Sequence, residues 1–405
     1  MKKRILLTIL FIVFSYIIYG LYLTQYFVEI VPTKLQSHQQ ENIFDYSGVI
    51  NVQSQSSSGS GSIQHIVSEA QRAELDFLFL TDQNHTDVFS DQEGYHDNLF
   101  LFIDGEYSYL NSRILNIGIK DNSHIKGPGQ SQALIADKLS QAQKTSDSGL
   151  FILSHPLKPG FQWQGPYPPG LDGIEIINLK WIWQNAWLNS RTSFLWTLFI
   201  YPFNPRLAFI RLLDGVGYDE VKLLDKLNAS QPTIAIAGTD ADAKVKLLKN
   251  TSITFPSYYM LFKIVRNHIL LTSELTGRDE TDKEKILGAL NKGQFYMSFD
   301  IFGNAKGFRA HIKDSNQKTY QMGSEIKLDN NTNLFVQLPV KPLFPFNVLL
   351  FKDGKRIKNS NKVHSQFKIS EKGAYRIFVR VIPTLPFPDG RKWLPWIYTN
   401  SFYIN

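Results

Sequence analysis

The sequence predicts a mixed α/β chain with an apolar anchor in front of it and an all-β domain behind. Three observations carry that prediction. Lys2, Lys3 and Arg4 lead into an uncharged run from Ile5 to Phe27. Short apolar runs then alternate with helical patterns to about residue 298, the signature of mainly parallel strands joined by helices. From about residue 299 one strand pattern follows another with no long helix between them. The divisions read as 1–31 for a basic cap and span, 32–45 for a polar tether, 46–298 for the α/β domain with an aromatic insertion at 181–213, and 299–405 for a β-sandwich.

The first element is read as a transmembrane helix. Only Thr8, Ser15, Gly20, Thr24 and Gln25 interrupt the Ile, Leu, Phe, Val and Tyr of the run, and about 20 such residues cross a bilayer. A cleaved secretory signal has a shorter apolar core and ends at small residues. Here Tyr22, Tyr26 and Phe27 stand at the exit, so an uncleaved anchor is expected. The basic cluster before the span places the N-terminus in the cytoplasm and the bulk of the chain outside, in a periplasm or at an outer surface.

After the tether comes a strand, then a Ser- and Gly-rich loop from Asn51 to Ser62. Helical spacing of Ile63, Ile66, Val67 and Ala70 follows, with Ser60 or Ser62 as the N-cap. Residues Asp76 to Thr81 form a short apolar run read as a buried parallel strand. Further runs at Leu99–Ile103, Ile114–Ile119, Leu150–Leu153, Gly173–Ile177 and Thr233–Ala237 read as strands, with a helix over Gln132–Gln143 and another over Lys283–Asn291. The stretch from Trp181 to Leu213 carries nine aromatic residues and three arginines as its only charges. Two readings fit it: a helical excursion packed on the α/β domain, or a helix lying in the membrane interface, where Trp, Tyr and Arg are favoured. In the β region, Asp353 and Gly354 mark a tight hairpin.

Composition excludes several functions. With no cysteine among 405 residues, there is no disulfide framework, zinc–thiolate site, iron–sulfur cluster or cysteine nucleophile. The formal charge of +7 conceals a split. Residues 45–149 hold fourteen acidic against six basic side chains, and residues 301–405 hold six acidic against seventeen basic. The basic residues are scattered through strands, which describes a solvated face and not a nucleic-acid groove. No nucleic-acid partner is expected.

Polar side chains recur at the ends of predicted strands. Asp82, Gln83 and Asn84 end one, Glu106 another, His155 a third, and Asp240 with Asp242 a fourth. In parallel α/β architecture the strand C-termini converge on the binding face. A lone histidine or aspartate is usually structural, but four such ends together point to a site.

In order, the chain shows a strand leading into a Ser-Gly loop, then Leu80-Thr81-Asp82-Gln83-Asn84, Gly105-Glu106, Ser154-His155-Pro156, the run Gly173 to Asn178, and Ala237-Gly238-Thr239-Asp240-Ala241-Asp242. This series resembles the PHP (polymerase and histidinol phosphatase) domain across about residues 50–243. Leu290 to Tyr296 and Pro395 to Ser401 are similar to the C-terminal part of membrane-associated PHP-type proteins. The resemblance implies a distorted (β/α)7 barrel that holds two or three divalent metals for phosphoester hydrolysis. It also implies the places of the ligands. Glu106, His155 and Asp240 are retained, and Asp242 is an acidic substitute. Asn51, Gln53, Ser58, Gln83 and Arg113 stand where the family has metal ligands. Asp82 supports the site from behind. His85 is a possible shifted ligand, although a solvent-exposed histidine is the commoner case.

These exchanges have a physical consequence. Neutral amides are poor ligands for transition metals, and a guanidinium cannot shed its proton beside a dication. Arg113 is therefore expected to pair with Glu106 or Asp240 and replace the metal. Two functions follow as expectations. One is a membrane-anchored, PHP-like protein that is catalytically impaired and binds a ligand or partner. The other is a phosphoesterase with a single cation (manganese, magnesium or zinc) on Glu106, His155, Asp240 and Asp242. A third possibility is a structural module that uses its basic β-domain as a contact surface. The bilayer is the expected partner through residues 5–27, with an interfacial contact through 181–213, and a protein partner is left open.

Overall fold

The computed structural model describes residues 2–30, 43–84, 90–118, 127–142, 149–248 and 251–405. Most of the expected tether, and His85, lie outside the described residues.

Helix α1 (Lys2–Thr24) is long and apolar enough to cross a membrane. Its outer face from Ile5 to Leu21 is exposed, and its C-terminal end is not. Leu23, Val28 and Ile30 are buried. The Asn204 side-chain amide donates to the Leu23 carbonyl at 2.9 Å and the Tyr26 carbonyl at 2.8 Å, tying the end of α1 to the residue that caps the helix Pro205–Ile210.

The next elements are β1 (Phe44–Val52), α2 (Ile63–Arg72), β2 (Phe77–Gln83), β3 (Gly94–His96), β4 (Leu99–Tyr109) and β5 (Ser112–Ile117). They are followed by α3 (Pro128–Ala142), β6 (Leu150–Ser154) and β7 (Gly173–Asn178). Helices α4 (Leu179–Asn189), α5 (Arg191–Ile200), α6 (Pro205–Ile210) and α7 (Tyr218–Asn228) then lead to β8 (Ile234–Ala241). Ser62 caps α2 by accepting the His65 amide, and the expected residues Ile63, Ile66, Val67 and Ala70 form its buried stripe. The aromatic stretch is helical, broken at Pro202 and restarted with Pro205 in the first turn of α6.

Strands β1, β2, β4, β5, β6, β7 and β8 close into a seven-stranded barrel, with β8 returning to β1. Strict strand–helix alternation, as expected of a (β/α)7 barrel, is not kept. Five pairings around the barrel are parallel, but β5 is antiparallel to both neighbours. The reason is local. Leu110 and Asn111, both at positive φ, make a two-residue turn between β4 and β5. A connection that short can only form a hairpin. Inside the barrel, Phe79 stacks on Phe102 with centroids 4.0 Å apart. Ile286, Leu287 and Leu290 join the same apolar cluster.

Beyond β8, the short strands β9 (Val245–Leu248) and β10 (Thr251–Ile253) pair, and helix α8 (Tyr258–Phe262) precedes β11 (Arg266–Leu271). Helix α9 (Asp279–Asn291) leads to β12 (Phe295–Ser298). The first half of β1 leaves the barrel and pairs antiparallel with β11, from Phe44 opposite Leu271 to Gly48 opposite Asn267. Strand β12 continues this sheet into Leu394–Thr399, Gly373–Val381 and Phe346–Lys352. The hairpin at Asp353 and Gly354 forms as expected. A second, four-stranded sheet contains Arg309–Lys313, Asn333–Gln337 and His364–Lys368. The C-terminal strands are thus joined to the barrel by continuous backbone pairing.

A buried ionic cluster sits at that junction. The His268 ring lies between Asp45 (3.0 Å) and Asp300 (3.3 Å), stacked on Tyr296, while Arg309 reaches Asp45 at 3.0 Å.

Candidate functional site

Alternation along the strands places the site. On β4, Phe100 and Phe102 face the barrel cluster, and two and four residues further on the same face carries Asp104 and Glu106. On β2, Phe77 and Phe79 lead in the same way to Gln83, and on β6 Leu150 and Ile152 lead to Ser154. Each strand therefore brings apolar side chains to the barrel interior and a polar group to its mouth.

At the mouth the structure unites Glu106, His155 and Asp240, as expected. His155 Nε2 is 3.4 Å from Glu106 and 3.7 Å from Asp240. Its Nδ1 is 3.2 Å from Glu175. Burial alone would depress the imidazole, but hydrogen bonds and charge from Glu106 and Glu175, with Asp240 behind them, outweigh it and raise the ring to about 10. Glu106 and Glu175 are in turn held below the ordinary carboxylate range against their burial, chiefly by His155. The Asn178 side-chain amide, 2.8 Å from His155 Nδ1 and 2.9 Å from Glu175, completes the group.

Asp242 reaches the group through Lys180. The Lys180 ammonium is 2.8 Å from Asp242 and 3.5 Å from Asp240. The two carboxylates raise its pKa in spite of burial. Lys180 sits in the first turn of α4, which Asn178 starts by accepting the Trp181 amide.

The substituted positions take other work. Asn51 is fully buried and donates to Glu175 at 2.9 Å. Gln83 donates to Glu106 at 3.2 Å. Gln53 donates to the Thr81 carbonyl at 2.7 Å and accepts from Ser57 at 2.6 Å. Ser58 lies in the same turn, and its neighbour Ser57 is the residue that meets Gln53 and the Gln83 amide. Asp82 accepts from the Ser54 amide at 2.6 Å and from the Ser54 hydroxyl, fixing the loop from behind. Asn51, His155 and Asp240 all have positive φ. Such backbone strain concentrates at functional sites.

Arg113 is a correction. Among the described residues no ion pair joins it to Glu106 or Asp240. Its guanidinium instead donates to the Ser108 hydroxyl and lies over the Phe161 ring, 5.4 Å from the centroid, and from there its charge still helps to hold Glu106 low. The antiparallel β4–β5 register sets Arg113 opposite Ser108 and Leu115 opposite Glu106. The lysine that pairs with Asp240 is Lys180.

The donor set does not fit a divalent centre. An ammonium already lies between Asp240 and Asp242. Among the described residues no group of three or more His, Asp or Glu is arranged to hold a metal ion. Sequence reasoning missed Glu175, Asn178 and Lys180. Glu175 left a signal, as a lone acid inside an apolar strand. Lys180 left none, since it opens a stretch that reads as aromatic and apolar.

No family model matches the sequence, and no curated protein matches it. Among solved structures, PsfC from Pseudomonas syringae PB-5123 is 11% identical with a TM-score of 0.37, covering 61% of this chain and 96% of its own. A two-domain protein from Bacteroides vulgatus ATCC 8482, described as containing a predicted PHP-like metal-dependent phosphoesterase, is 11% identical with a TM-score of 0.40. It covers 91% of this chain and 97% of its own. Likeness at this level assigns neither family nor activity.

Proposed function

We propose that this chain is a bilayer-anchored, PHP-like barrel protein that binds a ligand at the barrel mouth without hydrolysing it. One observation carries the reading: the carboxylates of the mouth already share basic side chains, Asp240 and Asp242 the ammonium of Lys180, and Glu106 and Glu175 the ring of His155. A dinuclear hydrolase needs metals that hold and activate water, and side-chain cations do not supply that chemistry. The test is elemental analysis of the full chain, purified without chelator and again after incubation with manganese and zinc, alongside hydrolysis of phosphate mono- and diesters. Far less than one ion per chain and no metal-dependent release of phosphate are expected. Stoichiometric metal with metal-dependent turnover would overturn the reading in favour of a single-metal phosphoesterase.

The anchor is α1, and we place the α4–α5 pair in the membrane interface beside it. Trp187, Leu188, Leu195 and Leu198 of that pair are exposed, and Tyr16 of α1 packs on Phe199. The full chain in vesicles with brominated lipid should lose fluorescence that a Trp187→Phe variant does not lose. Equal quenching in both proteins would remove α4 from the interface.

A further inference from the structure

A cavity of about 540 Å³ opens beside the barrel mouth. The volume lies within the ~300–1,000 Å³ typical of small-molecule sites. One end is apolar, walled by Trp183, Phe194 and Leu198 from α4 and α5 and by Ile253, Phe255 and Leu261 across from them. The other end is charged, with Lys180, Asp240, Asp242 and Lys244. The charges are not equally committed. Lys180 is paired with both aspartates. Lys244 reaches the Gly59 carbonyl at 3.5 Å, and among the described residues no carboxylate lies within ion-pair distance of it. The four charges sum to zero, and Lys244 is the cation among them left outside the ion pairs.

The cavity also has a defined place relative to α1. Leu198 lines it, while the next residue, Phe199, packs its ring at a tilt on Tyr16 of α1, centroids 3.9 Å apart, and accepts the Tyr16 hydroxyl at its carbonyl. One helix, roughly 10 Å across, separates the cavity from the apolar anchor. Leu198 and Ile253 at the walls are 38% and 43% exposed, so the apolar end is open to the outside.

We infer that this cavity binds an anionic single-chain amphiphile, its chain between α5 and β10 and its phosphate or carboxylate head on Lys244. An apolar slot that ends at an ammonium outside the ion pairs, opening beside the apolar helix α1, matches the two halves of such a molecule. The inference rests on the proposed binding role and names the ligand class for it.

The test is photolabelling of the full chain in lipid nanodiscs with a dodecyl phosphate carrying a chain-terminal diazirine, mapped by mass spectrometry. Label on Trp183, Leu198, Phe255 or Leu261 is expected. Unlabelled dodecyl phosphate should compete, while inorganic phosphate and neutral dodecyl maltoside should not. Ile253→Trp, which fills the slot from an exposed position, and Lys244→Gln, which removes the charge, should each weaken labelling about tenfold or more. Label confined to α1 and other lipid-facing residues would overturn the inference, as would labelling unchanged in both variants. Competition by inorganic phosphate alone would show an anion site without a chain site and would also overturn it. Phosphate released from the probe in the same sample would instead refute the non-hydrolytic role while leaving the cavity assignment intact.

Discussion

Replacing His268 with glutamine tests how the barrel and the C-terminal sheet are held together. The ring is fully buried between Asp45 and Asp300, and their charges and hydrogen bonds raise it to about 9 against the cost of burial. A histidine in the unfolded chain titrates near ~6.5. Because the folded value is the higher one, the stabilisation is complete below pH ~6.5 and is lost as pH rises through about 9. The difference corresponds to about 3 kcal/mol. The Asp45 carboxyl, lowered to about 2, is the same pair seen from its other end and is not added to that figure. For a chain of this length 3 kcal/mol moves the unfolding midpoint by roughly 4 °C. The assay is thermal unfolding of the full chain in lipid nanodiscs from pH 6 to 9.5, followed by tryptophan fluorescence, for the native protein and His268→Gln. His155 titrates at about 10 in both proteins and cancels in the comparison. The native protein should lose the extra ~4 °C between pH 6.5 and 9.5, and the variant, already less stable at pH 6, should not. Parallel pH profiles for the two proteins would refute the buried imidazolium.

Two further perturbations follow from the packing. Lys180→Ala removes the cation from Asp240 and Asp242. It should cost about 1–3 kcal/mol, less than a fully buried pair because 30% of the lysine side chain is exposed. Millimolar manganese should then raise the midpoint of the variant more than that of the native protein, and equal shifts would argue against charge substitution at the mouth. Gly20→Leu places a Cβ 2.3 Å from the Phe203 ring, so the end of α1 should lift from α6. Faster amide exchange over residues 204–210 would report this, and unchanged exchange would show that the helix end is not docked there.

Much of the barrel was legible because its cues are local. Apolar runs of strand length, the Ser62 cap and the Asp353-Gly354 turn each announce themselves within a few residues. Glu106, His155 and Asp240 could be grouped because parallel strands deliver their C-terminal ends to one face. What failed were long-range or register-dependent features. Arg113 was expected beside Glu106, but an antiparallel hairpin sets it opposite Ser108. Lys180 was hidden by the aromatic stretch it opens, since nothing near it in sequence reveals that Asp240 and Asp242 lie across the mouth. His268 and its partners span residues 45 to 309, and β11, on which His268 lies, carries Arg266, Asn267 and His268 where a buried strand normally carries apolar side chains. Those three polar residues were the available sign of an ionic junction.

Strand β1 has a mechanical consequence. Its first half belongs to the C-terminal sheet and its second half to the barrel. Asp45, in the junction cluster, and Asn51, against Glu175, stand six residues apart on the same strand, roughly 20 Å along an extended backbone. From Phe44 to Gly48 the strand pairs with β11 in regular register, and its irregularity, at Ile50 to Val52 where Asn51 takes positive φ, lies at the barrel end. The two parts of the molecule therefore meet without a hinge. A group drawn into the mouth at Asn51 pulls on a stiff rod whose far end is clamped by Arg309 and His268, so strain applied at the mouth reaches the C-terminal sheet as displacement of that clamp and not as rotation of one part against the other.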